Sequence, residues 1–379
     1  MDYKTLMEGL SAYPEEMTNA ERMAAYANGD EVDHVPYALT LGETAAPLYG
    51  YTVRQYNQSF DARRAELEFI RTNPELGEGK SATVSIGLRG IGAALGSTIK
   101  YPENSVDYVT DFVLTDYDML PEMYTKFDPK TNEFLSQKTA LVRQYKKECG
   151  NNFPVTLGVV GPLSTAAAIR KPELLMRDML KNKAKVHELL DLSVHCSLKW
   201  LEAVIEELGP ATASFSDPVS SMYLISERQF QEFCVPHLQD LLAGFKRLTG
   251  KIPGVHICGK TKPIWSYLSD LGMPSFSVDN CEDLQELKEA VGDRMMILGN
   301  VPPVDVLKNG TIDDVIHSVQ QCLIKCSDSP MGYMLAVGCQ IPVGTPIENL
   351  RAYVYAARRY GRGAKKGQLC RGLIEEGLV

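Results

Sequence analysis

Met295-Met296-Ile297-Leu298, closed by Gly299-Asn300, is an apolar run with no polar alternation. A strand with one wet face alternates apolar and polar side chains, so an unbroken run implies burial on both faces, as in a parallel strand covered by helices. Similar short β-rich runs recur along the chain, each followed by a polar turn and usually a helical stretch. The predicted strands are 35–41, 83–88, 154–160, 212–216, 253–258, 275–279, 294–298 and 333–338. Eight strand–helix units favour an α/β fold of the (β/α)8 TIM barrel type over a doubly wound sheet. No linker or low-complexity stretch divides the 379 residues, so a single barrel domain over 1–379 is expected. It carries a helical lead-in over 1–30 and a tail over 361–379, whose Gly361-Arg362-Gly363-Ala364-Lys365-Lys366 reads as a solvated end.

Several helices announce their own starts. Thr18-Asn19-Ala20-Glu21 and Ser226-Glu227-Arg228-Gln229 have capping-box spacing, and Thr345-Pro346-Ile347-Glu348 adds proline at the first helical position. Residues 174–208 have apolar positions at helical spacing and stop at Gly209-Pro210. Pro236 should bend or divide a helix over 226–249, because it lacks the N–H that the interior needs. Gly87-Leu88-Arg89-Gly90-Ile91-Gly92 has neither dinucleotide nor phosphate-loop spacing and reads as a loop.

In a barrel, function gathers at the carboxyl ends of the strands. There Gly254-Val255-His256-Ile257-Cys258-Gly259 places an imidazole and a thiol two residues apart, on one face of a strand. A lone histidine or cysteine on a strand is often an ordinary core residue. Cys339 weighs against that reading, since it too ends an apolar run, Tyr333-Met334-Leu335-Ala336-Val337. One nitrogen and two sulfurs make a three-ligand zinc site with a fourth position free, a catalytic arrangement. A closed structural site would show Cys-x-x-Cys pairs, and the nine cysteines form none. Glu43 is a weak candidate for a fourth ligand. Asp217, Asp279 and Asn300 also end strands, where turn and helix-cap roles compete with catalytic ones.

A net charge of −9 argues against a nucleic-acid partner, which calls for a basic stripe. No run approaches the ~20 apolar residues of a membrane span. Met1-Asp2-Tyr3-Lys4 lacks the basic and apolar regions of a signal peptide, and scattered cysteines suit a reducing compartment, so a cytoplasmic location is expected.

Together, His256-x-Cys258-Gly259, Gly299-Asn300-x-x-Pro303 and Gly338-Cys339-x-Ile341-Pro342-x-x-Thr345-Pro346-x-Glu348-Asn349 resemble the uroporphyrinogen decarboxylase superfamily. More closely they resemble its corrinoid-dependent branch, typified by methylcobalamin:coenzyme M methyltransferases. Thr18-x-x-Glu21-Arg22 and Asp217-Pro218-x-Ser220-Ser221, leading into Ile225-Ser226-x-x-x-Phe230, extend the likeness over nearly the whole chain. The resemblance implies a (β/α)8 barrel that uses zinc to activate a thiol taking a methyl group from methylcobalamin or a corrinoid-binding protein. It makes His256, Cys258 and Cys339 the zinc ligands and Asp279 a supporting or substrate group at the barrel mouth. Two positions depart from the pattern: Pro302 stands where an acidic residue is frequent, at a pocket edge, and His34 stands where arginine is usual, a matter of packing.

The direction of transfer stays open, and the same scaffold could demethylate a methyl thioether, an O-methyl or an N-methyl donor to charge a corrinoid. If the acceptor thiol carries an anion, Arg89 or Lys260 could meet it. Tetrapyrrole decarboxylation is a rival. Its many substrate carboxylates need arginines, and Leu41-Gly42-Glu43-Thr44-Ala45-Ala46-Pro47 has no positive charge. A non-enzymatic barrel that binds a corrinoid protein is a second rival.

Overall fold

The computed structural model describes residues 1–39, 41–77, 82–149 and 155–379. Thr40 and Pro154, inside two of the predicted strands, lie outside the described residues. All eight predicted strands form: β1 (Tyr37–Ala38), β2 (Ala82–Val84), β3 (Val155–Val160), β4 (Ala211–Ser216), β5 (Val255–Ile257), β6 (Ser275–Val278), β7 (Met296–Val301) and β8 (Tyr333–Val337). Parallel strands alternating with helices make this a (β/α)8 barrel fold. The first strand is shorter than expected, because Pro36 brings no N–H to a ladder.

The chain divides into two compact units, one of Met1–Asn57, Asp61–Gly79 and Pro274–Val379, the other of Gln58–Phe60 and Lys80–Met273. In the first, the strand order is β1-β8-β7-β6, with Tyr37 beside Leu335, Ile297 beside Tyr333 and Ile297 beside Phe276. In the second, the order is β2-β3-β4-β5, with Val84 beside Leu157, Val159 beside Phe215 and Ser216 beside His256. Val155, Leu157 and Val159 bury alternate positions of β3. The Lys183–Leu208 helix sinks Leu189, Leu190, Trp200 and Leu201 into the same core.

Pro236 divides its helix as expected. A π-helical turn over Phe230–Cys234, closed by the Val235 amide on the Phe230 carbonyl, precedes the Val235–Thr249 helix. The Thr18 and Ser226 capping boxes form. The Thr345 box does not: its hydroxyl donates to the Pro342 carbonyl at 2.8 Å, and the Ile347–Tyr360 helix starts without a side-chain cap. Gly90, read as loop, opens the Gly90–Leu95 helix. A side chain at Gly92 would meet the Ala168 carbonyl oxygen at 2.4 Å, so this glycine permits helix contact rather than loop flexibility.

The tail is not a solvated end. Arg362–Ala364 pairs antiparallel with Val32–His34, Cys370 and Leu373 are fully buried, and Arg371 pairs with Glu31 at 3.0 Å. The stretch looked free because the strand that it pairs with is remote in sequence.

The first unit also explains Thr18-x-x-Glu21-Arg22. The capped Asn19–Asn28 helix presents Arg22, whose guanidinium donates to Asp33 at 2.7 and 2.9 Å and to the Met17 carbonyl at 2.7 Å. Beside it, His34 Nδ1 donates to the Val35 carbonyl at 2.9 Å, and the ring stacks on Tyr37. Burial first, then the Arg22 charge, pushes the His34 imidazole down from 6.5 to about 4. Between those values the unfolded chain binds a proton that the native state refuses, so stability rises with pH through this window. It is fully present above the unfolded value and is lost as the pH falls toward 4. Urea unfolding at stepped pH should therefore lose about 3 kcal/mol, taking 1.36 kcal/mol per unit. His34→Gln should flatten that slope; an equal slope in the variant would discard His34 as its source. Asp33 stays ionised throughout, because the Arg22 bonds outweigh burial and hold its carboxyl well below the usual range.

Candidate active site

β5 ends the way the sequence suggests. His256 and Cys258 leave the same face of the strand, both half-buried, with Nε2 and Sγ 3.1 Å apart. The His256 carbonyl accepts the Asp217 amide at 3.0 Å, which fixes the end of β5 against the end of β4. Gly259 turns the chain with φ of 73° in the left-handed region, and a Cβ there would meet Tyr223 at 2.5 Å. The Met222 amide donates to the Lys260 carbonyl at 2.8 Å, and Trp265 Nε1 donates to buried Thr261 at 3.0 Å. These bonds pin the turn that carries the two donors.

Nitrogen and sulfur facing each other suit a shared metal ion. Zinc with typical bond lengths at a tetrahedral angle separates such donors by about 3.6 Å, so a half-ångström opening of this pair would admit one.

Asp217 is 1% exposed, so it does not face a ligand directly. Its Oδ1 accepts the Ser164 amide at 2.9 Å and hydroxyl at 2.5 Å, while burial pushes its carboxyl up. Gly161 leaves it room, since a Cβ there would sit 2.2 Å from the Asp217 carboxyl carbon. Ser164 was missed in the sequence; a serine inside the apolar Pro162-Leu163-Ser164-Thr165-Ala166 was the available signal. Arg89 pairs with Asp107 at 3.6 Å. Lys260 is exposed, its Nζ 5.8 Å from the centre of the Tyr223 ring.

In the other unit, Cys339 follows β8 and is half-buried. The Gly338 amide donates to the Val301 carbonyl at 2.9 Å, and a Cβ at Gly338 would meet the Asn280 amide nitrogen at 2.6 Å. Next to Cys339, Gln340 donates to Glu43 at 3.1 Å, and Asn57 donates to the other Glu43 oxygen at 2.6 Å. Glu43 is thus a half-buried anchor for the Cys339 turn. Gln340 and Asn57, neither legible from spacing, are the amides that hold it.

Asn300 ends β7 and donates to the carbonyls of Asp279, at 3.1 Å, and Glu282, at 2.8 Å, bracing the turn after β6. Half-buried Asp279 accepts the Cys281 amide at 3.0 Å. Pro302 lines a cavity of about 330 Å³ with Asn280, Glu282, Asn300, Ser318 and Lys325. Among the described residues no helix is long and apolar enough to cross a membrane.

Comparison with known proteins gives the family. The uroporphyrinogen decarboxylase (URO-D) family pattern matches residues 18–360. A methylcobamide:CoM methyltransferase of Methanosarcina barkeri is 29% identical over 220 residues, 58% of this chain, and the match spans 62% of that relative's length. A methylated-thiol–coenzyme M methyltransferase of Methanosarcina mazei is 25% identical over 350 residues, covering 90% of each chain. A solved methyltransferase from Methanosarcina mazei superimposes with a TM-score of 0.72 at 23% identity, covering 90% of this chain and 98% of its own, and it shares the fold.

Proposed function

The chain belongs to the uroporphyrinogen decarboxylase family, and within that family we propose that it is a zinc-dependent methyltransferase moving a methyl group from a methylated corrinoid to a thiol. The observation that carries this reading is the pair His256 and Cys258, facing each other at 3.1 Å where β5 opens into its loop. Relatives named for methyl transfer to coenzyme M support it. So does the chemistry of the donor set, since His256, Cys258 and Cys339 are all half-buried and offer one nitrogen and two sulfurs.

In this proposal His256, Cys258 and Cys339 hold the ion, which when bound would supply the Lewis acidity that keeps an acceptor thiol ionised at neutral pH. The chain's own work is orientation. The Asp217–Ser164 bonds and the Asp217 amide on His256 keep β5 in register, so Asp217 is a positioning residue. Asn300 does the same for the loop bearing Asp279, whose carboxylate stands at the carboxyl end of β6 to meet substrate. A fixed sulfur in line with the methyl group lowers the entropic share of the barrier. A sulfur lone pair forms the new S–C bond, and the Co–C bond breaks with both electrons left on the corrinoid as cob(I)alamin. Lys260, exposed beside the donor pair, is the cation available to an anionic end of the thiol. The methylated corrinoid arrives free or on a corrinoid-binding protein.

The visible spectrum of methylcob(III)alamin, followed with zinc-loaded protein and a panel of thiols, tests this. Cob(I)alamin should appear with the full chain and a thiol, and not with the Cys258→Ala variant. No spectral change with any thiol would sink the forward direction. The relative acting on methylated thiols favours a second reading, in which the same residues hold a methyl thioether. Cob(I)alamin would then take the methyl group and a thiolate would leave; mixing cob(I)alamin with methyl thioethers is the matching assay.

A further inference from the structure

The helices that precede β4 and β5 bring together a group of side chains that the methyl-transfer reading does not use. His187 and Asp191 are one turn apart on the Lys183–Leu208 helix; His237 and Asp240 are nearly so on the Val235–Thr249 helix. Ligand atoms of Asp191, His237 and Asp240 all lie within 4.8 Å of one another. His237 Nδ1 is 3.3 Å from Asp191 Oδ1, and His237 Nε2 is 3.1 Å from His187 Nδ1.

We propose that these helices share a second metal site, with nitrogen and oxygen donors only, in which His237, Asp191 and Asp240 bind a divalent transition-metal ion and His187 orients His237.

The geometry supports each role. Two donors at zinc-like distances and a tetrahedral angle stand about 3.3 Å apart, the separation of His237 Nδ1 from Asp191. A ligating imidazole usually donates its other N–H to an acceptor that fixes the ring, and His187 Nδ1 faces His237 Nε2 as that acceptor. His187 is in turn held by stacking on Phe233, with ring centres 5.0 Å apart. His237 is 5% exposed, so its ring is held in one place by its surroundings. Charge points the same way. Neither Asp191 nor Asp240 pairs with an arginine or lysine among the described residues, whereas neighbouring Glu188 and Glu232 are taken by Lys185 and Lys183. Two carboxylates therefore converge on His237 without a lysine or arginine between them. With no sulfur among its donors, the site suits zinc, cobalt, nickel or manganese rather than a soft ion.

Cobalt(II) titration of the metal-free full chain distinguishes this site from a thiolate one. Two equivalents should bind, one giving the near-ultraviolet charge-transfer band of cobalt–thiolate bonds and one giving weak visible bands only. Asp191→Asn combined with Asp240→Asn should remove the second equivalent and keep the first; Cys258→Ala should do the reverse. His187→Ala should weaken the second equivalent by about 10-fold or more. In the Cys258→Ala background, cobalt should raise the melting temperature, and His237→Gln should abolish that rise. Unchanged cobalt stoichiometry in the double aspartate variant, or no equivalent lacking the thiolate charge-transfer band in the unaltered chain, overturns the proposal. Neither result depends on methyl transfer.

Discussion

Alanine in place of Cys258 is expected to lower thiol methylation at pH 7 by about 1000-fold, from two separable losses. A free thiol with a pKa near 8.5 is about 3% thiolate at pH 7, so losing the activating ion alone costs about 30-fold. The remaining factor, again about 30-fold, is lost orientation, since misplacing a reactant by an ångström can cost as much as 100-fold. The first loss has its own signature: the residual rate of the variant should climb about tenfold per pH unit until the thiol ionises, while the unaltered protein stays flat there. Cys339→Ala should give the same profile together with loss of zinc measured by elemental analysis. If Cys339→Ala keeps as many zinc ions per chain as the unaltered protein and a rate within a few-fold of the original, Cys339 is not a ligand and the three-donor assignment fails. His256→Ala provides an internal comparison, because it removes the only neutral donor of the three.

Arg22→Ala should be the most damaging single substitution away from that site, costing about 3–5 kcal/mol of stability. Arg22 is 2% exposed, and its loss would leave Asp33, with a side chain 5% exposed, as a buried charge without its partner. The Glu16 and Met17 amides, both 3.1 Å from Asp33, would remain and cannot neutralise it. Replacing both partners removes the stranded charge, so Arg22→Met with Asp33→Asn should be less destabilised than Arg22→Ala alone. Arg22→Lys should fall between, because an ammonium cannot reproduce the forked contact with both carboxylate oxygens. Urea unfolding of these proteins, with Arg22→Met alone and Asp33→Asn alone to close the cycle, measures this directly; additive losses in the double variant would mean that the pair contributes nothing as a pair.

The parts of the fold that were legible share one physical origin. Strands buried on both faces, such as β7, write their burial into consecutive residues, and capping boxes at Thr18 and Ser226 are local bonds between residues three apart. Pro236 acts through its own missing N–H. What escaped depends on partners distant in sequence. Nothing near Arg362 says that it pairs with a strand at Val32–His34. Thr345 departs for a local reason instead: the Pro342 carbonyl three residues back takes its hydroxyl in competition with the cap. The site follows the same rule: His256 and Cys258 are legible because strand periodicity alone aligns them, while the bracing of Asp217 by Ser164 and of Glu43 by Gln340 and Asn57 had to be seen in space. Of the polar strand-end residues, Asp217 and Asn300 use their side chains to tie loops down, which spacing could not distinguish from facing a ligand.

The division of the chain also constrains how it is made. Nearly all of one unit lies in the continuous stretch Lys80–Met273, whereas the other waits for Pro274–Val379. On the ribosome, β2 to β5 can pair and bury their helices while β1, already synthesised, still has no β8 to bind. The Val32–His34 strand waits with it, because its partner Arg362–Ala364 is among the last residues made.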